Sequence, residues 1–156
     1  MIWSRESFYN DYMVNVNKMS FFRRKKKREY TPIQWKIKRK CLDIILEGAK
    51  SICPNEFGGL LRVDTEAKNT IMEVILLPGT ISGGSQALFK LHMLPIDFSI
   101  VGTVHSHPSG IPIPSAADLE LFDKYGRVHI IVASPFNESS WKAYTYLGNE
   151  IDITIV

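Results

Sequence analysis

Hydrophobic positions along this chain fall mostly into short, β-branched runs separated by polar turns, which is the pattern of half-buried and buried strands. Residues 58–64 and 70–77 read as two strands of a hairpin, with the polar stretch 65–69 between them. Residues 98–104 are apolar and β-branched, and Pro108 and Gly110 follow, so a buried strand is expected to end at the histidines. Residues 128–133 and 141–147 read as further strands, and 150–156 as a last one. Between hairpin and histidines, Ser82-Gly-Gly-Ser85 marks 78–86 as a flexible loop, and 87–93 reads as one more strand. Two stretches have helical character. Thr31-Pro32 resembles an N-cap and first helical residue. From there a helix is expected to run to Ala49, with Ile33, Ile37, Cys41, Ile44 and Ile45 on one stripe and Lys36, Lys38, Arg39 and Lys40 off it. A second, short helix is expected over 118–125, ended by Gly126. Strands interleaved with helices suit the α/β class.

Composition changes this picture only at the N-terminus. A chain of 156 residues suits one domain with a real core. Residues 1–40 hold 12 Lys or Arg against 3 acids, a net +9, while 41–156 hold 7 against 13, a net −6. The run Arg23-Arg-Lys-Lys-Lys-Arg28 cannot bury apolar surface, so 1–29 are expected to form a flexible basic arm and 30–156 the folded domain. Contact with nucleic acid or an anionic membrane is conceivable only through that arm. Cys41 and Cys53 give neither a disulfide framework nor zinc-finger spacing. No apolar run has the length of a transmembrane helix, and no signal peptide is visible; the cytoplasm is the expected location.

The chemistry concentrates in His105-Ser-His107-Pro-Ser-Gly-Ile-Pro-Ile-Pro-Ser115-Ala-Ala-Asp118. Side chains alternate along a strand, so His105 and His107 share a face. Two imidazoles and a nearby carboxylate supply three zinc ligands and leave a fourth position open, as in hydrolytic rather than structural sites. Ser115-Ala-Ala-Asp118 also reads as a capping box, which needs no chemistry at all. The two readings are compatible, because a capped helix start is a rigid mount for a ligand. A water-activating site further needs a base that is not a ligand. Glu56, in Pro54-Asn-Glu-Phe-Gly-Gly-Leu-Leu61, is the candidate, although its position alone fits a surface loop equally well. His92 and His129 read as core or surface histidines, not ligands.

Glu, then His-x-His, seven residues, Ser, two residues and Asp resembles the JAMM (MPN+) motif of zinc metallo-isopeptidases. That family includes deubiquitinases of the proteasome lid, the signalosome deneddylase and compact archaeal and bacterial relatives. The likeness spans about residues 50–147. It implies the JAMM/MPN, cytidine-deaminase-like fold, with a mixed sheet flanked by helices, and one Zn2+ per chain on His105, His107 and Asp118. Glu56 would act as general base and Ser115 as hydrogen-bond donor to the oxyanion. The implied activity is hydrolysis after the C-terminal Gly-Gly tail of a ubiquitin-like modifier or sulfur-carrier protein, with such proteins and their conjugates as partners. Trimming of a sulfur-carrier C-terminus, or a non-catalytic MPN partner-binding module, are the alternatives. With only nine residues between Asp118 and Val128, the longer second insertion of larger deubiquitinases is expected to be absent.

Overall fold

The computed structural model describes residues 32–76 and 97–156. The expected arm at 1–29, the loop at 78–86, the strand at 87–93 and His92 lie outside them. In chain order the elements are β1 (Trp35–Ile37), α1 (Arg39–Ile52), β2 (Gly58–Val63), β3 (Thr70–Leu76), β4 (Ile100–His107), α2 (Ala116–Lys124), β5 (Val128–Ala133), β6 (Trp141–Thr145), β7 (Glu150–Ile151) and β8 (Ile153–Ile155). The strands form one mixed sheet in the order β7-β6-β5-β4-β2-β3-β1-β8. The expected α/β architecture is therefore present.

The first expected helix is corrected. Residues 35–37 form a strand, and the helix begins only at Arg39 and runs to Ile52. Its N-cap, Lys38, makes no side-chain cap bond. Trp35–Ile37 pair in parallel with β3 on one side and β8 on the other, and these contacts override the local pattern. Of the expected stripe only Cys41 and Ile45 lie on the buried face of the helix. Ile37 is fully buried but in the strand, while Ile44 is 50% exposed. The buried face of α1 is Cys41, Leu42, Ile45, Leu46 and Ala49. The last expected strand is also two pieces. Asp152 alone separates β7 from β8, yet β7 pairs with β6 and β8 with β1, at opposite ends of the strand order. This short segment thus closes the sheet on itself.

Alternation divides the core in two. Val128, Ile130 and Val132 of β5 face the cluster that holds the apolar side of α1, together with Leu61, Val63, Ile71 and Val104. Ile131, from the same strand, faces the other side, where Leu121 and Phe122 of α2 pack on Leu60 and Tyr144. So α1 fills one face of the curled sheet and α2 covers part of the other. His105 lies on the α2 side, with its ring centroid 6.4 Å from that of Phe122.

The β4–α2–β5 unit sets the site. β4 and β5 run parallel in continuous register from Gly102↔Val128 to His107↔Ala133. Two glycines allow this approach. A Cβ on Gly102 would lie 1.5 Å from the Val128 carbonyl oxygen. Gly126, at φ +94°, turns the chain out of α2 with its own Cβ position 2.4 Å from the Gly102 Cα.

Candidate metal centre

Strand β4 continues through His107, so both histidines stand on one face of a buried strand. The loop that follows carries Pro112 and Pro114 and leads to Ser115, the N-cap of α2. The capping box is formed. Ser115 Oγ accepts from the Asp118 backbone N–H at 3.3 Å, and Asp118 Oδ2 accepts from the Ser115 backbone N–H at 2.7 Å. The cap fixes the carboxylate over the end of β4. His105 Nε2 lies 3.0 Å from Asp118 Oδ1, His107 Nε2 lies 3.4 Å from Oδ2, and the two Nε2 atoms are 3.1 Å apart.

These atoms meet the requirements of a small N/O-binding cation. A tetrahedral ion with bonds of about 2.0–2.1 Å has ligand-to-ligand edges of about 3.3–3.4 Å. The two Nε2 atoms, 3.1 Å apart, match such an edge within a few tenths of an ångström, and each faces a different oxygen of the Asp118 carboxylate, at 3.0 and 3.4 Å. The tautomer of His107 is also set by structure. Its Nδ1 lies 2.9 Å from the Ile111 carbonyl oxygen, which can only accept, so Nδ1 carries the proton. Nε2 of the neutral ring is left with its lone pair toward Asp118 and His105, the arrangement expected of a metal-ligating histidine. His105, His107 and Asp118 form the group that could hold a metal among the described residues.

Electrostatics reflect the convergence. Burial opposes ionisation of Asp118, but hydrogen bonds with His105 and His107 outweigh it and hold the carboxyl far below the usual range. The hydrogen bond with Asp118 raises His107; burial opposes this, and the Ile111 carbonyl and the charges of Asp118 and Glu56 add to it. Behind His105 lies an apolar wall. Phe122 is fully buried and stacks on His129, with centroids 4.1 Å apart and planes 11° apart. His129 is fully buried and pairs through Nδ1 with Thr103 Oγ1 at 2.8 Å. Burial pushes its pKa down to about 3, with the charge of His105 acting the same way and the Phe122 backbone opposing it. The expectation that His129 is a core residue is met.

Glu56 is brought to the site by a backbone clamp. The Ser106 N–H donates to the Phe57 carbonyl at 2.9 Å, and the Phe57 N–H donates to Ser106 Oγ at 2.8 Å. Gly58 pairs with His105 in the adjoining ladder. Glu56 adjoins this clamp, and its negative charge is felt at His107. The sequence lacked any sign of this clamp, because Ser106 is 49 residues from Phe57. It also lacked the role of the Ile111 carbonyl, a backbone atom that no residue type betrays. Ser115 lies at the rim, where its hydroxyl donates to Asp118 Oδ2 at 2.7 Å. Neither cysteine belongs to the group. Cys41 is on the buried face of α1, and burial followed by the charge of Glu73 raises its thiol to about 11.

Residues 38–144 match the family of prokaryotic homologs of the JAB domain. The chain belongs to this JAB family. A probable metalloprotease of Haloferax volcanii is 38% identical to it over 123 residues, covering 74% of this chain and 75% of that protein. The crystal structure of a JAB1/MPN domain protein from Archaeoglobus fulgidus is 41% identical, with a TM-score of 0.62 over 78% of this chain and 98% of the other. A structure described as JAMM, a metalloprotease-like zinc site in the proteasome and signalosome, is 38% identical, with the same TM-score over 79% and 98%. This JAB domain is therefore a JAMM-type, metalloprotease-like protein with the JAMM/MPN fold, and the His-His-Asp group sits where a β strand and a capped helix converge. Among its described residues no helix is long and apolar enough to cross a membrane.

Proposed function

We propose that this JAB protein is a zinc-dependent peptidase that hydrolyses the bond after the C-terminal Gly-Gly of a ubiquitin-like modifier or sulfur-carrier protein. The observation that carries the reading is the convergence of His105 Nε2, His107 Nε2 and the Asp118 carboxylate with His107 Nδ1 already satisfied. These three residues would hold one zinc ion. Zinc bound there supplies Lewis acidity toward a peptide carbonyl and brings the pKa of water to about 7.

The remaining work belongs to the chain. Glu56, exposed and near enough for its charge to act on His107, takes the proton of the attacking water on its carboxylate and returns it to the leaving amine. Ser115 exchanges its hydrogen bond to Asp118 Oδ2 for one to the developing oxyanion, an interaction worth about 2.7–4 kcal/mol in comparable sites. The Ser115 backbone N–H keeps the Asp118 carboxylate in place meanwhile. No thiol is required, and the buried Cys41 is a poor nucleophile. Two unpaired cysteines suit a reducing compartment such as the cytoplasm. The likeness to a zinc site of the proteasome and signalosome supports a modifier tail as substrate.

The test is incubation with modifier–reporter fusions joined through Gly-Gly, with zinc and with chelator. Cleavage after the second glycine, abolished by chelator, is expected. Cleavage that ignores the Gly-Gly would overturn the substrate, and no cleavage of any peptide bond would overturn the peptidase reading.

A further inference from the structure

The geometry points to Tyr144 as a positioning residue for His107, acting through the proline loop between the two ends of the metal group. This inference rests on the metal reading above. Tyr144 lies on β6, well removed in sequence from both histidines, and is buried with its ring 6.2 Å from that of Phe122. Its hydroxyl donates to the Pro112 carbonyl oxygen at 2.5 Å. Pro112 follows Ile111, whose carbonyl accepts from His107 Nδ1.

The link between these two carbonyls is stiff. The Ile111–Pro112 peptide is planar, which ties the Ile111 oxygen to the Pro112 ring. The ring itself locks φ of Pro112. Between the oxygen that Tyr144 holds and the oxygen that holds His107, a single soft torsion remains, ψ of Pro112. Fixing the Pro112 oxygen therefore fixes the acceptor of the imidazole within one degree of freedom. Proline has no N–H, so this carbonyl is the only polar backbone atom by which residue 112 can be anchored. Phe122 completes the arrangement. It lies one helical turn after Asp118, contacts the His105 ring, and stacks against Tyr144. One buried aromatic pair thus supports all three members of the group.

Tyr144→Phe removes the hydroxyl and keeps the ring. Zinc affinity of the purified full chain, read by competition with a chromophoric chelator, should fall about tenfold, the lower end for partners that orient metal ligands. The visible spectrum of the cobalt-substituted protein should change as His107 gains freedom. Pro112→Ala keeps the carbonyl but adds a second soft torsion, and should move both readouts in the same direction. Ile71→Val, in the core on the other face of the sheet, lowers thermal stability and should leave both unchanged. The inference is overturned if Tyr144→Phe binds zinc like the wild type, or if Ile71→Val weakens zinc equally. Failure of the wild type itself to bind zinc would instead overturn the metal reading.

Discussion

Glu56→Gln separates the proposed base from the structural role of its loop. The substitution preserves shape and removes only the ability to accept a proton. Glu56 is exposed, and the clamp that holds its loop uses the Phe57 backbone and Ser106, not the Glu56 side chain. Folding stability should therefore change by no more than about 0.5 kcal/mol. Zinc should remain at about one per chain, because the proposed ligands are three other residues. Turnover should fall by about 10²–10⁴, the usual contribution of a positioned acid–base group. At about 1.36 kcal/mol per tenfold, that is about 2.7–5.4 kcal/mol of barrier, several times the stability change. The assay pairs single-turnover cleavage of a Gly-Gly fusion with metal analysis and a urea unfolding curve. A second signature comes from electrostatics. The Glu56 charge contributes to the raised proton affinity of His107, so the variant should lower the His107 titration midpoint in metal-free protein, as read by NMR. Cleavage within tenfold of wild type would refute the assignment, whatever happened to His107.

Further predictions follow from the same geometry. His129 has its folded pKa depressed to about 3 against 6.5 when free, so its contribution is full above the free value and drains as pH falls from 6.5 toward 3. Linkage makes this about 2 kcal/mol between about pH 7.5 and about pH 5. Urea unfolding of metal-free wild type and His129→Leu at both pH values should show the difference, and equal pH slopes would refute it. His107→Ala should lose zinc by elemental analysis yet stay folded, because β4 is held by its ladders to β2 and β5. Gly102→Ala would drive a methyl into the Val128 carbonyl, costing about 3 kcal/mol or more. A fall in Tm of less than about 5 °C would mean that the β4–β5 pair can separate more freely than the structure indicates.

The sequence alone determined whatever depends on neighbours along the chain. Strand β5 falls on the expected residues, β2 and β6 share their expected first residues, and the turn between β2 and β3 is where polar residues cluster. The capping box at Ser115 and Asp118 was readable because both of its bonds lie within one turn. The shared face of His105 and His107 was readable because strand alternation is local. Failure came where pairing partners are distant. Ile33, Ile37 and Cys41 are spaced like a helix, but Trp35–Ile37 gain more from parallel ladders to β3 and β8, whose residues lie far along the chain. Likewise 150–156 has a strand's composition, and only closure of the sheet decides that it serves β6 with one part and β1 with the other. The site divides in the same way. Residue type and spacing singled out the three residues that converge, since His105 and His107 are two of four histidines in the chain. The backbone clamp at Phe57, the Ile111 carbonyl and the Tyr144 anchor were decided by the tertiary structure. All three use carbonyl oxygens, which every residue carries, and each becomes specific only when folding brings a particular partner within hydrogen-bonding distance.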